Sequence, residues 1–310
     1  MRLEGIHHVT AITGDAPRNV DFYTRVLGLR MAAKTVNQDD PSVYHLFYAD
    51  ELGRPGAEIT FFEYPGATRG RPGRGMVHRI ISRVGSAEAI GFWERRLAAE
   101  GVATERFGDR LRFEDFEGLG HELVVNASGD EPLAAEHPEV PAELALQGFD
   151  GVRAYSFDPE RTAALLQRLL GAQAAGDGAW ELRGERRGGA YLLDRAPAER
   201  GLQGAGTVHH VAFGTTVAEH PEWFRRIQQA GVGSSPIIDR HYFHSIYFRE
   251  PGGVLFEIAD DGPGFTVDVP LEQLGSKVIL PPKLEPHRAQ IEQILTPLPD
   301  PRAGWAPAPR

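Results

Sequence analysis

Ile6-His7-His8-Val9, near the start of the chain, returns far downstream as Val208-His209-His210-Val211, and Leu255-Phe256-Glu257-Ile258 follows the second copy. Each is a short apolar run bounded by β-branched residues, which reads as a strand. Successive strand side chains point to opposite faces. With Val9 and Val211 packed under helices, His8 and His210 face the other way, and Glu257 turns inward between Phe256 and Ile258. One strand histidine is ordinarily a packed or solvated residue; two doublets in matching places, with a carboxylate strand behind them, reverse that expectation. Two imidazoles and one carboxylate leave about three octahedral positions open, the facial arrangement of non-haem Fe(II) oxygenases.

Working outward from the doublets, the chain reads as a repeat of βαβββ units. The first starts at Ile6, runs through a helix over Ala16 to Leu27, and returns in strands at Tyr44 to Tyr48 and Glu58 to Tyr64. Val77-His78-Arg79-Ile80 opens the second, whose helix carries an apolar stripe of Ile90, Phe92, Trp93 and Leu97 and whose last strand is Gly120 to Val125. The third opens at Gly151 to Tyr155, with a helix over Pro159 to Leu170 and an end at Ala190 to Leu193. The fourth opens at Val208, with a helix over Pro221 to Ala230 and final strands at Ser245 to Phe248 and Val254 to Ala259. Aligning the opening strands superposes His8, Arg79 and His210, and Val152-Arg153 falls at that place in the third unit. Aligning the closing strands superposes Thr60, Glu122 and Glu257. The fold class expected is α+β, four βαβββ modules forming two barrel-like domains. The division expected is a module pair over 1–130, a Pro- and acid-rich linker over 131–147, a second pair over 148–262, and a tail over 263–310 with a short helix at Pro286 to Leu295.

Composition narrows the function. The chain has 310 residues and a formal charge of −10, which argues against a nucleic-acid footprint of clustered Lys and Arg. No run approaches the roughly 18 apolar residues of a membrane helix, and Met1 leads almost directly into a strand, so a cytoplasmic protein is expected. There is no cysteine. Any metal must therefore use His, Asp or Glu. Gly70-Arg71-Pro72-Gly73-Arg74-Gly75 lacks the strand–loop–helix context and Lys-Ser/Thr ending of a phosphate loop and reads as a connection. A homo-oligomer is the default for a soluble enzyme.

The doublets, Gly5-Ile6-His7-His8-Val9-Thr10, Asp239-Arg240, Ser245-Ile246-Tyr247-Phe248-Arg249, Pro251-Gly252-Gly253 and the tail Leu280 to His287 resemble the vicinal-oxygen-chelate (glyoxalase, bleomycin resistance, extradiol dioxygenase) superfamily over nearly the whole chain. They resemble most its hydroquinone-type ring-cleaving dioxygenases. That resemblance implies Fe(II), with Mn(II) as the substitute, held by His8 of the first module with His210 and Glu257 of the fourth. It also implies His7, Thr10, His209, Arg240 and Tyr247 near the substrate. An Arg there stabilises a phenolate or peroxide anion, and a His or Tyr moves protons to and from ring hydroxyls. The implied partners are an aromatic substrate, hydroquinone-type first and catechol-type second, and O2.

Catechol-cleaving relatives draw their ligands from the third and fourth units; the third unit here offers no histidine in its opening strand. A glyoxalase-like isomerase or lyase takes a fourth protein ligand from the partner unit's closing strand, where Thr60 stands, unless a register slip brings Glu58 or Glu63 there. A non-catalytic aromatic-binding protein of the same fold needs no intact triad. His241 and His244 rank behind the doublets, the second barrel reads as structural, and Glu185-Arg186-Arg187 reads as a solvated charge cluster.

Overall fold

The computed structural model describes residues 1–176 and 178–305. Its first module is β1 (Ile6–Thr13), α1 (Ala16–Val20), β2 (Arg30–Asn37), β3 (Asp40–Ala49) and β4 (Glu58–Glu63). The second is β5 (Met76–Val84), α2 (Ala87–Ala99), β6 (Thr104–Phe107), β7 (Arg110–Glu114) and β8 (Gly120–Val125). The third is β9 (Leu146–Tyr155), α3 (Pro159–Arg168), β10 (Gln173–Ala174), β11 (Ala179–Arg183) and β12 (Gly188–Leu193). The fourth is β13 (Thr207–Thr215), α4 (His220–Gln229), β14 (Ile238–Asp239), β15 (His244–Arg249) and β16 (Leu255–Asp260), followed by a tail with α5 (Arg288–Ile294).

Local chemistry explains the helices. Asp15 and Asp158 cap α1 and α3 by accepting from Arg18 N and Arg161 N, and Ser86 caps α2 by accepting from Ala89 N. The stripe Ala89, Ile90, Trp93 and Leu97 is the buried face of α2, and the Trp93 indole donates to Leu144 O at 2.8 Å. The helix expected over Ala16 to Leu27 is regular only to Val20. From Asp21 to Val26 it widens to a π-helix, in which Leu27 N reaches Phe22 O.

Two eight-stranded sheets result, in the orders β14-β15-β16-β13-β1-β4-β3-β2 and β10-β11-β12-β9-β5-β8-β7-β6. The first module therefore shares a sheet with the fourth, and the second with the third, so the sheets cut across a division into sequence halves. The reason is that β1 finds its antiparallel partner in β13 and β5 finds its own in β9. The two sheets touch closely at Gly5, whose φ is +73° and whose added Cβ would lie 2.6 Å from the Gly188 carbonyl carbon. Only glycine meets both demands.

On the second sheet a cluster of charged side chains gathers around Glu122. Glu122 is fully buried, and its carboxylate accepts from Arg110 at 2.6 Å, Arg112 at 2.8 Å and Arg153 at 2.9 Å; Arg153 also donates to Asp194 at 2.8 Å. Burial opposes ionisation of Glu122, but the three arginines outweigh it and hold its pKa down at about 2, against 4.5 ordinarily.

A depressed carboxyl pKa gives stability that is complete above the unfolded value and is lost as pH falls through the folded one. Glu122→Gln is therefore expected to be less stable than the native chain near neutral pH, with the gap closing from pH 4.5 toward 2 in urea unfolding. For Gly5→Ala, left-handed strain and backbone overlap together predict a loss of roughly 2–5 kcal/mol by the same measurement.

Candidate metal centre

β1 and β13 run antiparallel through the middle of the first sheet, and their register is interrupted twice. Ile6 pairs with Phe213 but His8 with Ala212, so His7 is an extra residue on β1; Thr10 pairs with His210 but Ala11 with Val208, so His209 is an extra residue on β13. Each doublet thus sits on a β-bulge, and the two are related by symmetry. A bulge breaks the two-residue alternation and re-aims a side chain. Strict alternation would turn His7 and His209 away from their neighbours. Instead His7 Nδ1 lies 2.9 Å from His8 Nδ1, and His209 Nδ1 lies 2.8 Å from His210 Nδ1.

The outer nitrogens of His8 and His210 converge with Glu257. His8 Nε2 is 3.2 Å from His210 Nε2 and 3.2 Å from Glu257 Oε2, and His210 Nε2 is 3.0 Å from that oxygen. All three residues are buried, and Glu257 Oε2 has no hydrogen-bond partner. A buried carboxylate oxygen left so is costly unless a cation completes it. Ligands about 2.1 Å from an ion sit about 3.0 Å apart when cis in an octahedron and about 3.4 Å apart in a tetrahedron. The triangle fits one face of an octahedron, so these side chains could hold a metal ion there. The other Glu257 oxygen accepts from Ser245 Oγ at 2.5 Å, which fixes the carboxylate's rotation.

Hydrogen-bond logic assigns the tautomers. His7 Nε2 lies 3.1 Å from Asp260 O, a group that can only accept, so Nε2 carries a proton. With His7 neutral its Nδ1 can only accept, so the proton between the two Nδ1 atoms sits on His8 and leaves the His8 Nε2 lone pair facing His210 Nε2 and Glu257 Oε2. Glu58 stands behind His7, 3.4 Å from Nδ1. Burial disfavours a charged His7, but Glu58, Glu257 and the Asp260 carbonyl outweigh it and raise its pKa. Burial lowers His8, and burial with His210 drives His209 down to about 3.

A narrow cavity opens onto His8 and His210, lined also by Thr35, Asn37, Gln38, Asp39, His45 and Arg240 and by the rings of Phe47, Phe62, Tyr242, Phe243 and Tyr247. Of the residues expected near a substrate, the structure brings Arg240 and Tyr247 to this cavity. Arg240 lies 5.4 Å over the Tyr247 ring and pairs with Asp39 at 2.9 Å. His7 and His209 instead contact His8 and His210 through their Nδ1 atoms, and Thr10 bonds Thr60 at 2.7 Å. His45 was not legible as a site residue. It lines the cavity, its Nε2 lies 2.9 Å from Thr60 Oγ1, and burial holds it neutral. His241 and His244 turn to Asp268 and Asp260. A larger cavity, about 640 Å³, lies against α1 and β7 and holds none of these histidines.

The registers also settle the module alignment. Thr10 pairs with Thr60, Ala212 with Glu257 and Ile81 with Glu122, so Thr60, Glu122 and Glu257 are equivalent positions. In the third module the residue equivalent to His210 is Gly151, which pairs with Ile81 as His210 pairs with Thr10. Val152-Arg153, expected there, lies further along β9, and Asp150, an extra residue between the Ser82 and Ile81 pairings, stands where β13 has His209.

This architecture is matched elsewhere. A sequence model of the Glyoxalase/Bleomycin resistance protein/Dioxygenase superfamily covers residues 5–112 and 148–258, and the chain belongs to that superfamily. Among its relatives, MhqO of Bacillus subtilis, named as a ring-cleaving dioxygenase, is 44% identical over 301 residues, covering 94% of this chain and 96% of that protein. The chlorohydroquinone/hydroquinone 1,2-dioxygenase of Sphingobium indicum is 34% identical over 303 residues, covering 92% and 93%. A Bacillus subtilis crystal structure described as a dioxygenase superposes with a TM-score of 0.90 at 42% identity, covering 96% and 98%. Glyoxalase I of Zea mays, at 15% identity and a TM-score of 0.58, shares the fold over 83% of this chain and 92% of that one.

Ser245→Ala removes the donor that orients Glu257. Metal affinity is expected to fall about 10- to 100-fold, read by chelator competition, with the folded state retained.

Proposed function

We propose that this protein is an Fe(II)-dependent dioxygenase that opens hydroquinone-type rings with O2, using His8, His210 and Glu257 as its protein ligands. The observation that carries the reading is the buried triangle of two imidazole nitrogens and one orphaned carboxylate oxygen, with edges of 3.0–3.2 Å, facing a cavity walled by aromatic rings. When bound, the metal supplies adjacent positions for a phenolate oxygen and O2 and a path for electrons between them.

The chain's own residues do the rest. Phe47, Phe62 and Phe243 give a flat ring apolar surfaces on several sides and exclude water. Arg240 supplies a fixed positive charge beside the ring. Tyr247 is held protonated chiefly by burial, so it is a hydrogen-bond donor at neutral pH. His45, neutral for the same reason, offers a nitrogen that either donates or accepts. Asn37, Gln38 and Asp39 make the cavity rim polar. A para diol has one oxygen at the metal end and one pointing away, and this rim gives the second oxygen partners. An ortho diol would bring both oxygens to the metal.

Thr60 supports O2 chemistry over isomerisation. It holds the position where a fourth protein ligand would arise, and its hydroxyl is engaged by Thr10 and His45. Glu63 is turned to Ala16 N at 3.2 Å and Glu58 to His7, so neither stands in for it. No helix among the described residues is long and apolar enough to cross a membrane. A reducing cytoplasm is the setting that would keep the iron ferrous.

The test is anaerobic Fe(II) loading followed by O2 uptake with methylhydroquinone, catechol and a methylglyoxal–thiol adduct. Hydroquinone-dependent uptake with loss of ring absorbance is expected. Turnover of the thiol adduct without O2 would overturn the reading. His8→Ala and Glu257→Ala are each expected to lose bound metal and turnover together, because each removes one of three ligands; normal iron content in either would refute the ligand set.

A further inference from the structure

The loop between β14 and β15 supplies Arg240, Tyr242 and Phe243 to the cavity, yet little within the loop holds it there. Arg240 N donates to Phe243 O at 2.9 Å and His241 N to Asp239 Oδ1 at 2.7 Å. His241 has a φ of +71° and is the non-glycine residue with positive φ among those described. A side chain in the left-handed region is strained, so contacts outside the loop must hold it there.

Those contacts come from the tail. Asp268 places Oδ1 2.9 Å from His241 Nε2 and accepts the Tyr242 hydroxyl on Oδ2 at 3.0 Å. Gly264 N donates to Tyr242 O at 2.9 Å, and the buried Phe265 ring lies 5.0 Å from Tyr242 and 4.9 Å from Phe47. The tail is itself anchored on β2. Arg30 donates to Leu271 O at 2.5 Å, and the buried Lys34 ammonium donates to Ser276 O at 3.2 Å and Pro299 O at 3.1 Å. Across the cavity Gln38 donates to Arg240 O at 2.6 Å, so the loop is gripped from both sides.

We propose that Asp268, in the C-terminal tail, is a positioning residue for the substrate cavity: one carboxylate holds His241 and Tyr242 so that Arg240, Tyr242 and Phe243 face the His8–His210–Glu257 group. For its substrate the proposal rests on the ring-cleaving reading above; the latch itself does not. Asp268 touches none of the three ligand residues, so its loss disturbs the cavity wall and leaves the metal.

The experiment is Asp268→Ala in the full chain, loaded with Fe(II). Hydrogen exchange is expected to rise in a peptide spanning residues 240–243 and to stay unchanged in β1 and β13, with iron stoichiometry kept. The KM for methylhydroquinone is expected to rise about tenfold with kcat changed less than about threefold, because ring placement and not the metal is affected. His241→Gly in the Asp268→Ala background is expected to recover part of the KM, since glycine takes this φ at no steric cost. Unchanged exchange at 240–243, or loss of iron together with the loop, would overturn the proposal. Because exchange is read without turnover, a native chain inactive on hydroquinones would refute the substrate reading and leave the latch decided.

Discussion

The pairing of β1 with β13 is the constraint on which everything else depends. It joins the first and last modules, bringing His8 to His210 across 202 positions of sequence. Closing so long a connection is entropically costly and must be offset by what the sheet buries. The interrupted register is part of that bargain. Two bulges, one per strand, remove two ladder positions and in return bring four imidazoles to one side of the pair. Without them, His7 and His209 would face away, and His8 and His210 would lose the imidazole neighbours at their Nδ1 atoms.

The second sheet shows the alternative use of the same scaffold. Its β5–β9 pairing has its own extra residues, with His78 where the first has His7. Arg79, Gly151 and Glu122 stand at the places of His8, His210 and Thr60. A buried carboxylate there cannot remain alone, so arginines from β7 and β9 converge on it. The two barrels therefore solve the problem of buried charge differently: one neutralises it within the chain, and the other leaves Glu257 Oε2 without a protein donor. The latter is the barrel whose side chains could hold a cation.

What the sequence reveals here follows from what strand periodicity and residue type encode. The doublets, Glu257 and their shared face are legible because the histidines repeat within an apolar frame and the alternation rule holds for one member of each pair. The rule fails for His7 and His209 because an inserted residue leaves no mark in composition. His45 and Ser245 stay hidden for another reason: each is a lone polar residue in an alternating strand, and only the cross-strand registers of β3 with β4 and β15 with β16 bring them to the site. Arg240 and Tyr247 are legible through the family resemblance. The tail's hold on the loop between β14 and β15 depends on Asp268, an exposed-looking acid with no motif around it.

In the proposed reading, Thr60 is the residue that separates O2 chemistry from isomerisation. Its hydroxyl lies between Thr10 and His45, at 2.7 Å and 2.9 Å, so recruiting it as a ligand would break both bonds for a weak donor. Glu122 shows what a carboxylate does at the equivalent place: it demands positive charge. In the reading proposed above, a carboxylate at residue 60 would meet that demand from the ion held by His8, His210 and Glu257, and would close the position that a second reactant needs. A short uncharged side chain on β4, held by its neighbours, thus adds no fourth candidate ligand to His8, His210 and Glu257, and the same hydroxyl fixes His45 at the cavity wall.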